Sequence, residues 1–87
     1  MKAEEIINRQ ERIITVLQKA KEDNKRVNII LGNSNMIFEA NFLKVERLMW
    51  FMDLYDENAK VHLQIAFDDI IEIEEIRGGN KLYERDE

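Results

Sequence analysis

The sequence has no cysteine. That excludes a disulfide framework and a thiolate zinc site, and it points to a reducing compartment, the cytoplasm, rather than a secreted setting. Long apolar runs are also missing. The longest one free of charge, Leu48 to Met52, falls far short of the ~20 residues needed to cross a bilayer, and charges throughout residues 1–20 leave no room for a signal peptide. Nucleophiles and imidazoles are scarce, with Ser34, Thr15 and a single histidine, His62. Triad chemistry needs a nucleophile, a base and an orienting group converging within hydrogen-bond reach, so no catalytic residue is expected and the chain reads as a non-enzyme. Positive charge is in the minority, 13 Lys and Arg against 18 Asp and Glu for a net charge of -5. A nucleic-acid binder normally carries a basic footprint, and this chain lacks one overall.

What is present fits one small domain. A chain of 87 residues has room for one core, burying roughly 60–65% of the surface its unfolded form exposes. Between Ala3 and Asp23 the residues Ala3, Ile6, Ile7, Gln10, Ile13, Ile14, Val16, Leu17 and Ala20 fall on one half of a helical wheel, with charged and polar residues opposite. The periodicity predicts an amphipathic helix over 3–23. Glu4 and Glu5 at its start and Lys19 and Lys21 at its end complement the macrodipole, and Asp23-Asn24 is the expected stop.

After Lys25 the period changes to two. Val27, Ile29 and Leu31 alternate with Asn28 and Ile30 before the turn formers Gly32-Asn33-Ser34-Asn35, which predicts a strand and a hairpin turn. Residues 36–52 fit either strands or a second helix, since Phe38, Phe42, Val45, Met49 and Met52 also make a heptad seam. Strands are the simpler continuation because Asp56-Glu57-Asn58 is a turn signal and Val61, Leu63, Ile65 and Phe67 alternate after it. In IAFDDIIEIEE, residues 65–75, an Asp68-Asp69 turn leads to a last strand with Ile71 and Ile73 on one face and Glu72 and Glu74 on the other. Gly78-Gly79-Asn80 then opens a charged tail over 78–87 that is expected to be mobile. The fold class is therefore α+β, a helix on a strongly bent antiparallel sheet of about five strands, with one domain over 1–77.

An amphipathic helix before short strands, closed by Ala66-Phe67-Asp68-Asp69-Ile70-Ile71-Glu72-Ile73-Glu74, resembles the YolD-like family of small bacterial and phage proteins over roughly residues 11–75. The resemblance implies an Sm-like, SH3-type barrel and a role as accessory in DNA-damage tolerance or phage biology, with a Y-family polymerase as the implied partner. Weaker echoes of Sm proteins lie in Glu46-Arg47-Leu48-Met49-Trp50 and Ile76-Arg77-Gly78-Gly79-Asn80. They imply an alternative, an RNA-binding ring subunit using Lys25, Arg26 and Arg77 with Trp50 as a stacking surface.

Four surfaces are candidates for binding. The carboxylates Asp68, Asp69, Glu72, Glu74 and Glu75 form an acidic face, which would protect a sheet edge or attract a basic partner, and a second alternative is an inhibitor mimicking nucleic acid. Glu72 and Glu74 lie nearly 7 Å apart along a strand, too dispersed for a hard cation, so no metal and no cofactor are expected. Lys19, Lys21, Lys25 and Arg26 make the basic cluster, without interleaved aromatics. The stretch Leu48 to Tyr55, read as a strand, turns Leu48, Trp50, Met52 and Leu54 one way and Met49, Phe51 and Tyr55 the other, so both faces need cover. A 21-residue helix of about 31 Å overshoots a seven-residue strand of about 23 Å. That leaves Ile6 and Ile7 on an overhang. The expected function is a protein-binding module, a homodimer in the first instance, contacting its partners through Ile6, Ile7, Met49, Trp50, Phe51 and Tyr55, with no membrane association.

Overall fold

The computed structural model describes residues 3–85. Among them a helix, α1 (Ala3–Glu22), precedes β1 (Arg26–Leu31), β2 (Asn35–Glu39), β3 (Leu43–Leu48), β4 (Phe51–Asp56), β5 (Val61–Ala66), β6 (Ile70–Glu75) and β7 (Lys81–Glu84). Of the domain expected over 1–77 and the tail over 78–87, residues 1–2 and 86–87 lie outside the described residues. No described helix is long and apolar enough to cross a membrane.

Helix α1 buries the stripe Gln10, Ile13, Leu17 and Ala20. It stops where expected. Asn24 takes a left-handed φ of 54°, and Lys25 N–H reaches back to the Ala20 carbonyl at 2.9 Å while Asn24 N–H reaches Lys21 at 3.2 Å. These bonds satisfy last-turn carbonyls, and asparagine tolerates the left-handed site better than a branched residue would.

The strands form two antiparallel sheets, one in the order β2-β1-β6-β7 and one in the order β3-β4-β5. Residues 36–52 are thus strands and a hairpin, not a second helix. The expected five-stranded barrel is replaced by two separate ladders of four and three strands. Two short 3-10 turns, Ala40–Phe42 and Phe67–Asp69, break what alternation alone reads as continuous strands. Each turn carries the chain from one sheet to the other while Ala40 and Phe67 are themselves buried. The seventh strand comes from the stretch expected to be a mobile tail. Gly78 and Gly79 adopt φ of 123° and 68°, which side chains resist, and the reversal sends Lys81–Glu84 back along β6 with Ile73 opposite Tyr83.

Between the sheets and α1 lies one core. Val27 and Ile29 of β1, Met52 and Leu54 of β4, Ile70 and Ile73 of β6 and Tyr83 of β7 meet the Ile13, Leu17 and Ala20 stripe. Arg12 stacks over the Tyr83 ring, 5.2 Å from its centroid, so β7 is tied to the helix as well as to β6.

Candidate functional site

The end of the β3–β4 hairpin is the candidate site. Leu48 pairs with Phe51, so Met49 and Trp50 alone make the turn. Met49 sits there with φ 44°, a left-handed conformation that costs a side-chain-bearing residue about 1–2 kcal/mol. Two-residue hairpins normally use Asn-Gly or Gly at such positions. Here the tip carries a methionine 77% exposed and a tryptophan 57% exposed, flanked by Phe51 at 46% and Leu48 at 39%.

Three contacts fix this tip beside the start of α1. Arg47, the residue before Leu48, donates through Nε and Nη2 to Gln10 Oε1 at 3.1 and 2.8 Å. Arg9 pairs with Asp68 at 3.1 Å, and the neighbouring Phe67 N–H donates to the Trp50 carbonyl at 3.1 Å. At the other end of β3, Lys21 Nζ donates to the Leu43 carbonyl at 2.9 Å, so β3 and α1 run antiparallel. Leu48 and the turn carry the hairpin about 6 Å beyond Arg47, roughly one turn of the helix before Gln10. Ile7, 45% exposed, therefore belongs to the same end of the molecule as the tip. Leu48, Met49, Trp50, Phe51 and Ile7 together leave on the order of 600 Å² of side-chain surface in water, at the upper limit of what a monomer's largest apolar patch shows.

The aromatic stretch expected as one strand is corrected by this geometry. The turn at Met49-Trp50 flips Leu48 onto the face of Phe51, while Met52 and Leu54 point into the core. Of the residues predicted for an interface, Ile7, Met49, Trp50 and Phe51 come together. Ile6 is half-buried in line with the Gln10 stripe. Tyr55 is half-buried and packs edge-on against His62, about 13 Å along the strand from Phe51. Leu48 was missed because no Gly or Asn marks the turn beside it.

His62 lies on the solvent face of sheet β3-β4-β5, its Nε2 2.6 Å from Asp53 Oδ1. Ser34 sits in the β1–β2 turn, where its carbonyl accepts from Leu31 N–H at 2.8 Å. The two belong to different sheets. Among the described residues no group of three or more His, Asp or Glu is placed to hold a metal ion.

The acidic residues are largely engaged by cations. Glu72 pairs with Lys81 at 3.4 Å and Glu75 with Lys25 at 3.2 Å. Asp68 pairs with Arg9, and Glu74 accepts from Asn28 at 3.1 Å; Asp69 is exposed. Hydrogen bonds to Glu84 and then Glu72 hold the Lys81 ammonium above the ordinary lysine range. Lys25, Arg26 and Arg77 do converge, in an open concavity of about 570 Å³ at the helix's C-terminal end, but Asp23, Glu39 and Glu75 line it too. Strand β6 separates this concavity from the turn bonded to Trp50 by about 17 Å. The basic trio and the tryptophan therefore occupy opposite ends of one chain.

Comparison with protein-family models, with curated proteins and with solved structures returns no match for this chain.

Proposed function

We propose that this chain is a non-enzymatic, cytoplasmic protein-binding module that self-associates and presents its hairpin tip to a partner protein. One observation carries the reading. A two-residue turn selected for folding alone would place glycine or asparagine at position 49, yet the tip holds Met-Trp in a strained conformation with both side chains in water. Trp, Phe and Met are the residues enriched where proteins meet, and a rigid aromatic anchor loses little conformational entropy on binding. Support for the finer reading, a small Sm- or SH3-type barrel of the YolD-like kind, is that short 3-10 turns at Ala40–Phe42 and Phe67–Asp69 carry the chain from one sheet to the other. That resemblance makes a Y-family translesion polymerase the first partner to try. Equal numbers of basic and acidic side chains around Lys25, Arg26 and Arg77 favour protein over RNA as the ligand.

Trp50 is the only tryptophan, so fluorotryptophan labelling gives one fluorine NMR signal that reports on the tip. A photo-crosslinker at position 50 in cells is expected to trap a discrete protein, which when purified shifts that signal. Adducts only to RNA or lipid, or none, overturn the reading. Met49→Gly is expected to raise stability by about 0.5–1 kcal/mol, the relief of left-handed strain less glycine's entropic cost. It should also weaken partner binding at least tenfold. Thermal unfolding and the fluorine titration measure the two effects separately.

A further inference from the structure

Among the described residues four strands lie at sheet edges: β2 and β7 in one sheet, β3 and β5 in the other. Unpaired edges template further strands, and proteins usually guard them with charge. Strand β7 carries Lys81 and Glu84, β3 carries Lys44, Glu46 and Arg47, and β2 carries Glu39. On β3 the Leu43 carbonyl is further occupied by Lys21 Nζ. Strand β5, Val61-His62-Leu63-Gln64-Ile65-Ala66, has no Lys, Arg, Asp or Glu and pairs with β4 in unbroken register. It is regular and carries no charged guard.

We infer that a second copy of this chain seats on the β5 edge, antiparallel and centred on Leu63, to join the two three-stranded sheets into one of six strands. Cross-strand neighbours must share a face, which limits the register. Centred on Leu63, each chain's exposed Val61 lies opposite the second copy's Ile65, the two Leu63 side chains meet, and each His62 faces the second copy's Gln64. No like charges oppose one another. Moving the centre by one residue, to His62 or to Gln64, sets Ile65 opposite Ala59 or Val61 opposite Phe67, each outside the strand. The assignment rests on the protein-binding reading in one respect: it gives self-association to the edge and leaves the Met49-Trp50 tip for the partner. Ala66 pairs with Phe51 beside the tip, and the antiparallel arrangement sends the two Ala66 ends roughly 20 Å apart in opposite directions. The dimer thus presents two tips and binds a repeated partner with avidity.

The test uses the full chain in light scattering and sedimentation, with fluorine NMR of Trp50. His62 and Gln64 are both exposed, so H62K/Q64K should keep the fold, checked by circular dichroism, while setting lysines opposite lysines across the axis. The wild type is expected to reach twice the chain mass with the Trp50 signal unmoved. H62K/Q64K should weaken dimerisation at least tenfold. D53N/H62E/Q64E, in which the asparagine removes repulsion from position 53, should do the same. Mixing the two variants should restore a one-to-one dimer, because each introduced lysine then faces a glutamate. A wild type that stays monomeric at millimolar concentration, or a double-lysine variant that keeps the wild-type mass, overturns the inference. So does a mass doubling that moves the Trp50 signal: it would place the second copy on the tip, and the protein-binding reading would stand while the edge assignment fell.

Discussion

Phe67→Ala is expected to lower folding stability by about 3–5 kcal/mol, the loss typical of emptying a buried aromatic site that the surroundings cannot refill. Phe67 is 1% exposed and lies in the 3-10 turn where the chain leaves one sheet for the other. Both sheets and α1 meet around that corner, so its walls belong to elements held by separate hydrogen-bond ladders and cannot all move inward together. For a domain of this size total stability is about 4–13 kcal/mol. The variant should lose a large share of that stability, with its urea midpoint shifted strongly downward at unchanged slope. Phe67→Leu should cost far less. A loss below about 1.5 kcal/mol for the alanine variant would contradict the packing of this corner.

The second large effect is expected at Arg47. Its guanidinium supplies two hydrogen bonds to Gln10 Oε1, and Gln10 is only 3% exposed, the buried polar residue in the helix stripe. Arg47→Ala leaves that carbonyl oxygen without those donors at a cost of about 1–3 kcal/mol. Glu11, 3.8 Å from Arg47 and itself exposed, adds little, because surface ion pairs contribute about 0–1 kcal/mol. The discriminating measurement is a double-mutant cycle. Q10L/R47L removes both polar partners and should recover most of the loss, since apolar replacement of a whole pair is nearly neutral. If the double variant is as unstable as the sum of the singles, the pair is not coupled. Arg47 also precedes the tip, so R47A is expected to loosen the hairpin against α1 and broaden the Trp50 fluorine signal.

The helix was legible in the sequence because its cause is local. Ile13, Leu17 and Ala20 recur at helical spacing, and Asn24 ends the run by a conformation its own side chain permits. The strand character of β1 and β5 was equally local, written in alternation. The site was legible only in part. Ile7, Met49, Trp50 and Phe51 stand out by residue type, but their being neighbours depends on a turn without turn residues and on Arg47 reaching Gln10 from 37 positions away.

Composition, periodicity and charge thus determined by themselves that this chain is a small α+β fold with one amphipathic helix ahead of its strands, because burial preference and backbone period belong to each residue. Tertiary structure alone decided that the strands split into two sheets, that the tail returns as β7, that acidic side chains find cations, and that one edge is left unguarded. Those outcomes depend on which residues distant in sequence come within a few ångströms, and no local pattern encodes that distance.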